Sequence, residues 1–128
     1  MQFSTVAAVA IGGACGALCR YAANTLVVKL CSNDYLPIAT FAVNMIGCFV
    51  LGLVTGIGTQ VLSEPLRVGL ATGFLGALTT FSTYAVEIVT RSQNKYWGTA
   101  LLIVGGNLAV GLLLAFVGLA LGANWKGS

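Results

Sequence analysis

Histidine is absent from this chain, charged residues make up 7% of it, and only three of them are acidic. Without histidine the usual proton shuttle near neutral pH is missing and no His-based metal site can form. Soluble domains carry about a quarter charged residues, so so low a fraction excludes a soluble globular protein. Hydrolytic triads need a His or Lys base beside a nucleophile; His is absent, and Lys29 at the end of the first apolar stretch is the only Lys in any of them. No Gly-Lys-Ser/Thr loop that would cradle phosphate occurs, which excludes an ATP-driven pump. The four cysteines do not form a disulfide framework, because Cys15, Cys19 and Cys48 fall inside apolar stretches and Cys31 lies near a loop. They read as small hydrophobes. No Lys or Arg precedes the first apolar stretch, which continues past Arg20, so it reads as a retained span rather than a signal peptide.

What the chain does have is apolar length. Hydrophobic residues make up 58% of its 128 positions and the mean hydropathy is +0.96. A bilayer core needs about 20 predominantly apolar residues per helix. Four stretches meet that length, at about residues 3–30, 37–60, 65–91 and 97–122, and leave no room for a separate soluble domain. The expected fold is therefore a single four-span, all-α integral membrane domain. Pro37 and Pro65 stand where helix starts tolerate proline. Gly12 with Gly16, and Gly52 with Gly56, form small-xxx-small pairs that let helices approach closely.

Four spans place both termini on one face, with Arg67 and Lys126; Lys29, Arg91 and Lys95 fall on the other. Orientation follows the Lys/Arg imbalance of short loops, and two against three is almost no instruction. Such a chain is expected to insert both ways, and two copies can then pair antiparallel. Four thin spans enclose little by themselves, so a homo-oligomer is expected on packing grounds too.

The third span is the unusual one. Between Gly73 and Tyr84 it gathers two glycines, four Ser/Thr hydroxyls and three aromatic rings. Irregular backbone at membrane depth is tolerated only where protein or a water-filled cavity surrounds it. The segment therefore predicts a helix broken at its midpoint near Gly76 and Thr79, with freed carbonyls able to bind a small cation. Phe81 and Tyr84 share a helix face three residues apart, as do Thr80 and Thr83. A ring is positive at its edge and attracts an anion edge-on; Ser82 and Thr83 add hydroxyl donors. Asn44 interrupts the second span with two amide donors, and Asn107 holds a comparable place in the fourth, where an interhelical hydrogen bond is the expected role. Arg20 lies within the first span, where a cation costs at least ~2.5 kcal/mol unless it snorkels or faces a cavity. Glu87 is expected at the membrane surface beside Arg91, its i+4 partner.

The runs Gly12–Arg20, Asn44–Gly47 and Thr72–Tyr84 resemble the Fluc, or CrcB, fluoride channels, and the resemblance covers essentially the whole chain. It implies a dual-topology antiparallel homodimer in the bacterial inner membrane that lets fluoride leave the cytoplasm passively. It further implies a structural Na+ at the dimer centre on the carbonyls of Gly76 and Thr79. The fluoride pore then falls on Asn44, Phe81, Ser82, Thr83 and Tyr84, and a vestibule cation on Arg20. The partners implied are a second copy, fluoride and membrane lipid, with no nucleic acid. Two positions depart from the family pattern: Tyr84 stands where Phe is usual, and Ala77 where a second glycine is usual. The fourth span offers only Thr99 as a Ser or Thr. Rival readings are a proton-coupled fluoride antiporter using Glu87, a small multidrug exporter and an assembly subunit. The exporter needs a carboxylate in the first span, which here has Arg20 instead.

Overall fold

The computed structural model describes residues 2–30, 38–58, 61–92 and 97–125, and every regular element among them is helical. Helix α1 spans Phe3–Leu30 and α2 spans Ile38–Ile57. A segmented run follows: α3 Glu64–Val68, a π-helical stretch Gly69–Leu75, α4 Gly76–Leu78, and α5 Phe81–Ser92. Helix α6 closes the chain at Trp97–Asn124. Residues 31–37, 59–60, 93–96 and 126–128, which include Pro37, Lys95 and Lys126, lie outside the described residues.

Among the described residues, three helices are long and apolar enough to cross a membrane, covering Phe3–Leu30, Ala39–Ile57 and Ala100–Asn124. They coincide with the first, second and fourth expected spans. The third expected span is the segmented run. Its start follows local rules: Pro65 occupies the first turn of α3, where its missing N–H costs nothing. The π stretch was not foreseen. There the Gly76 N–H reaches back to the Ala71 carbonyl, one residue further than an α-helix requires.

Glycine determines how these helices pack. A Cβ on Gly52, Gly56, Gly118 or Gly122 would collide with a backbone oxygen across the α2–α6 contact, those of Ala115, Leu119, Phe49 and Leu53 respectively. Only hydrogen in place of a side chain allows that approach. The partners advance together along both sequences, so α2 and α6 run parallel. The same holds for α1 against the segmented run, where Gly12 meets Gly69 and Phe74, and Gly16 meets Phe74 and Leu78. With lipid as apolar as any side chain, close van der Waals contact is what holds such pairs. The expected pairs Gly12/Gly16 and Gly52/Gly56 both face a partner helix in this way.

Val43, Leu75 and Leu78 form the small core between the two pairs, with Ala23, Val50 and Phe74 packed on it. Much of the remaining apolar surface is bare on the single chain, including Val28, Leu102 and Phe81.

Candidate functional site

The segmented run is interrupted at Thr79–Thr80. Thr79 adopts an extended conformation (φ −81°, ψ 154°) and the helix resumes at Phe81. The Thr79 hydroxyl and N–H both donate to the Leu75 carbonyl, at 2.8 and 3.0 Å, which closes the last turn of the upstream segment. The Thr80 N–H donates to Asn44 Oδ1 at 3.0 Å, and Asn44 Nδ2 donates to the Thr80 carbonyl at 3.3 Å. The amide of Asn44 thus serves both polar groups of Thr80, as a neighbouring backbone would. Three residues along the same face of α2, Gly47 makes room: a Cβ there would overlap the Thr79 methyl.

These bonds divert two helical donors. In an unbroken helix the Gly76 carbonyl would accept the Thr80 N–H, and the Thr79 carbonyl the Thr83 N–H. Asn44 takes the first, and the Thr80 hydroxyl takes the second at 3.3 Å. Thr80 is therefore the N-cap of α5, the role for which its hydroxyl is suited. It also donates to the Thr83 hydroxyl at 3.1 Å and lies 3.4 Å from that of Ser82. A helix end carries roughly half a unit charge, positive at the N-terminus and negative at the C-terminus. The break therefore sets the negative end of the run ending at Leu78 beside the positive start of α5.

A cavity of about 460 Å³ opens beside the break, lined by Asn44, Gly76, Thr79, Phe81, Tyr84 and Asn107 among others. Five of the eight site residues expected from sequence line it, namely Asn44, Gly76, Thr79, Phe81 and Tyr84, but not alike. Phe81 is 82% exposed on the single chain, whereas Tyr84 is 5% exposed. The Tyr84 hydroxyl donates to the Ile103 carbonyl of α6. Ser82 and Thr83 sit on the exposed first turn of α5. Arg20 is half-buried on α1 and does not line the cavity.

The expected pairing of Glu87 with Arg91 falls on a side chain outside the described residues; Glu87 accepts a bond from the buried Thr40 hydroxyl at 3.2 Å, while its Oε2 is buried without a hydrogen-bond partner among the described residues. Sequence reasoning passed over Gly47 and Thr40, and named Asn107 without placing it on the cavity. The first had a readable signal, a glycine on the same face as the polar Asn44; the other two required the α2–α5 and α5–α6 registers.

The model of the family described as CrcB-like protein, Camphor Resistance (CrcB), matches residues 7–119. A fluoride-specific ion channel FluC of Maridesulfovibrio salexigens is 42% identical over 116 residues, which cover 89% of this chain and 91% of that one. The protein of that name in Acidobacterium capsulatum is 40% identical over 89% of this chain and 92% of its own. The one in Synechocystis is 42% identical over 87% and 86%. These names denote ion channels, not enzymes, and their bacterial sources accord with the apolar helices of a multi-pass inner-membrane protein. By a match that extends over most of its length, this chain belongs to the CrcB family.

Proposed function

We propose that this chain is a passive, fluoride-selective channel that exports cytoplasmic fluoride. The observation that carries the reading is the break at Thr79–Thr80. It sets the positive start of α5 beside the cavity, whose wall includes Thr79, Thr80 and Phe81. Fluoride is small and strongly hydrated, so a pore must replace its shell with donors yet release it again. Asn44, Ser82 and Thr83 are the proposed donors, Phe81 and Tyr84 the ring edges, and Arg20 the vestibule cation. The relatives named as fluoride-specific ion channels, at about 40% identity, support the same reading.

The segmented run Glu64–Ser92 is read as the third of four crossings of a single membrane domain covering residues 1–128. A structural Na+ is assigned to the carbonyls of Gly76 and Thr79. The fit is good, because these two carbonyls lose their helical donors to Asn44 and to Thr80, and freed carbonyls of a broken helix suit that ion. The ion would contribute fixed positive charge to a core that has little. An antiparallel homodimer completes the proposal; the bare ring of Phe81 is a surface that a second copy would cover.

Purified protein in liposomes is expected to release fluoride down its gradient and to retain chloride. Chloride release of similar size would remove the assignment. A second reading, a proton-coupled antiporter, draws on Glu87, whose buried Oε2 is without a partner among the described residues. It requires fluoride movement driven by an imposed pH gradient alone, which a passive channel does not show.

A further inference from the structure

Helix α6 is held unevenly along its length. Its C-terminal half is pressed against α2 through Gly118 and Gly122, where a Cβ would strike the Phe49 and Leu53 carbonyls. Towards the other end stand two consecutive glycines, Gly105 and Gly106, at which an added Cβ meets nothing within 4 Å. No close approach on the single chain requires them, and glycine in a helix interior weakens the local turn. Leu101, Leu102 and Leu108 around them are bare on the single chain. Beside this weak turn the Tyr84 hydroxyl donates to the Ile103 carbonyl. In an α-helix that same carbonyl accepts the Asn107 N–H, and a carbonyl oxygen has lone pairs for both bonds. The turn closed between Ile103 and Asn107 contains both glycines. The phenol of α5 therefore holds one edge of the loosest turn of α6.

We propose that Gly105–Gly106 is a hinge in α6 and that the Tyr84 hydroxyl is the positioning group that latches it, fixing the α6 wall of the cavity and with it the discrimination between anions of different size. The role in anion choice rests on the fluoride-channel reading; the latch itself does not. Val104, Asn107 and Leu108 line the cavity from α6 and straddle the glycine pair, so a bend there moves the wall. The other side of the latch is firm. Tyr84 is almost fully buried, and its segment is tied to α2 both before and after it, by Asn44 at Thr80 and by Thr40 at Glu87. Hinges concentrate backbone change at a few positions, often small residues. A wall free to bend at such a point admits the larger chloride ion.

Tyr84→Phe keeps the ring and removes the latch. Backbone amide exchange of the full-length protein in micelles, read by mass spectrometry on peptides from α6, is expected to quicken about fivefold across 104–108, the weight of one hydrogen bond. It should stay unchanged across 112–124. Adding Gly105→Ala or Gly106→Ala to Tyr84→Phe should return the rate to native, because either methyl stiffens the turn and meets no neighbour; two separate alanines keep the test open if one of them fails to assemble. Exchange that is unaltered by Tyr84→Phe, or that rises equally along all of α6, overturns the latch. In liposomes, Tyr84→Phe should lower the ratio of fluoride to chloride efflux severalfold, and either alanine should restore it. A ratio that falls and is not restored overturns the proposal, since the hydroxyl then acts on the ion itself, and so does a ratio that stays native. If the native protein passes no fluoride, the channel reading fails by itself, and amide exchange alone decides whether Tyr84 latches the hinge.

Discussion

Asn44 bonds both polar backbone groups of Thr80, so a single truncation there removes two hydrogen bonds and strands a half-buried N–H. Asn44→Ala is expected to cost ~2 kcal/mol, read as a lower thermal midpoint in detergent, and to reduce fluoride efflux severalfold. Phe81 carries the opposite expectation. Its ring is bare on the single chain and supports no packing there, so Phe81→Ile should leave the midpoint of the dissociated protomer unchanged while cutting fluoride efflux. Undiminished efflux would make the ring filler. Both residues were legible in the sequence, since an amide and an aromatic ring amid hydroxyls are conspicuous in an apolar stretch. The difference between Phe81 and Tyr84 was not: spacing puts them on one helix face, yet one ring is bare and the other buried, which depends on where α6 lies.

At the scale of the helices, glycines of identical appearance in the sequence do different work. A Cβ on Gly118 would strike the Phe49 carbonyl, whereas one on Gly105 meets nothing within 4 Å. Gly118→Ala should separate α2 from α6 and cost more than ~1 kcal/mol, the scale of an overpacked contact. Gly105→Ala should be neutral or stabilise by up to ~1 kcal/mol through helix propensity. Thermal midpoints of the two variants, measured side by side in one detergent, check the contrast. The small-xxx-small pairs of α1 and α2 were readable because both members lie on one helix; their partners, Gly69 with Gly73 and Gly118 with Gly122, belong to elements whose pairing only the fold reveals. The interruption near Gly76 and Thr79 was readable as well, from glycine and hydroxyl content. The π stretch before it was not, because a turn that is one residue wider leaves no mark in composition.

For the molecule as a whole, charge is the quantity to manipulate. Arg67 and Lys126 stand against Lys29, Arg91 and Lys95 across the expected faces, so a few added lysines outweigh the native balance. Lysines inserted at 93–96 should fix one orientation and abolish fluoride efflux, and co-expression with a copy biased the other way should restore it. A biased copy active alone would exclude antiparallel pairing. The three expected spans that form long apolar helices were within reach of the sequence, whereas the surface offered to a neighbour was not, since hydropathy marks every apolar side chain alike. The bare ring of Phe81 has a genetic corollary. If no subunit owns a finished passage, a damaged allele is not silent beside a healthy one: each mixed pair inherits the fault, and resistance to the halide declines faster than the dose of the healthy allele.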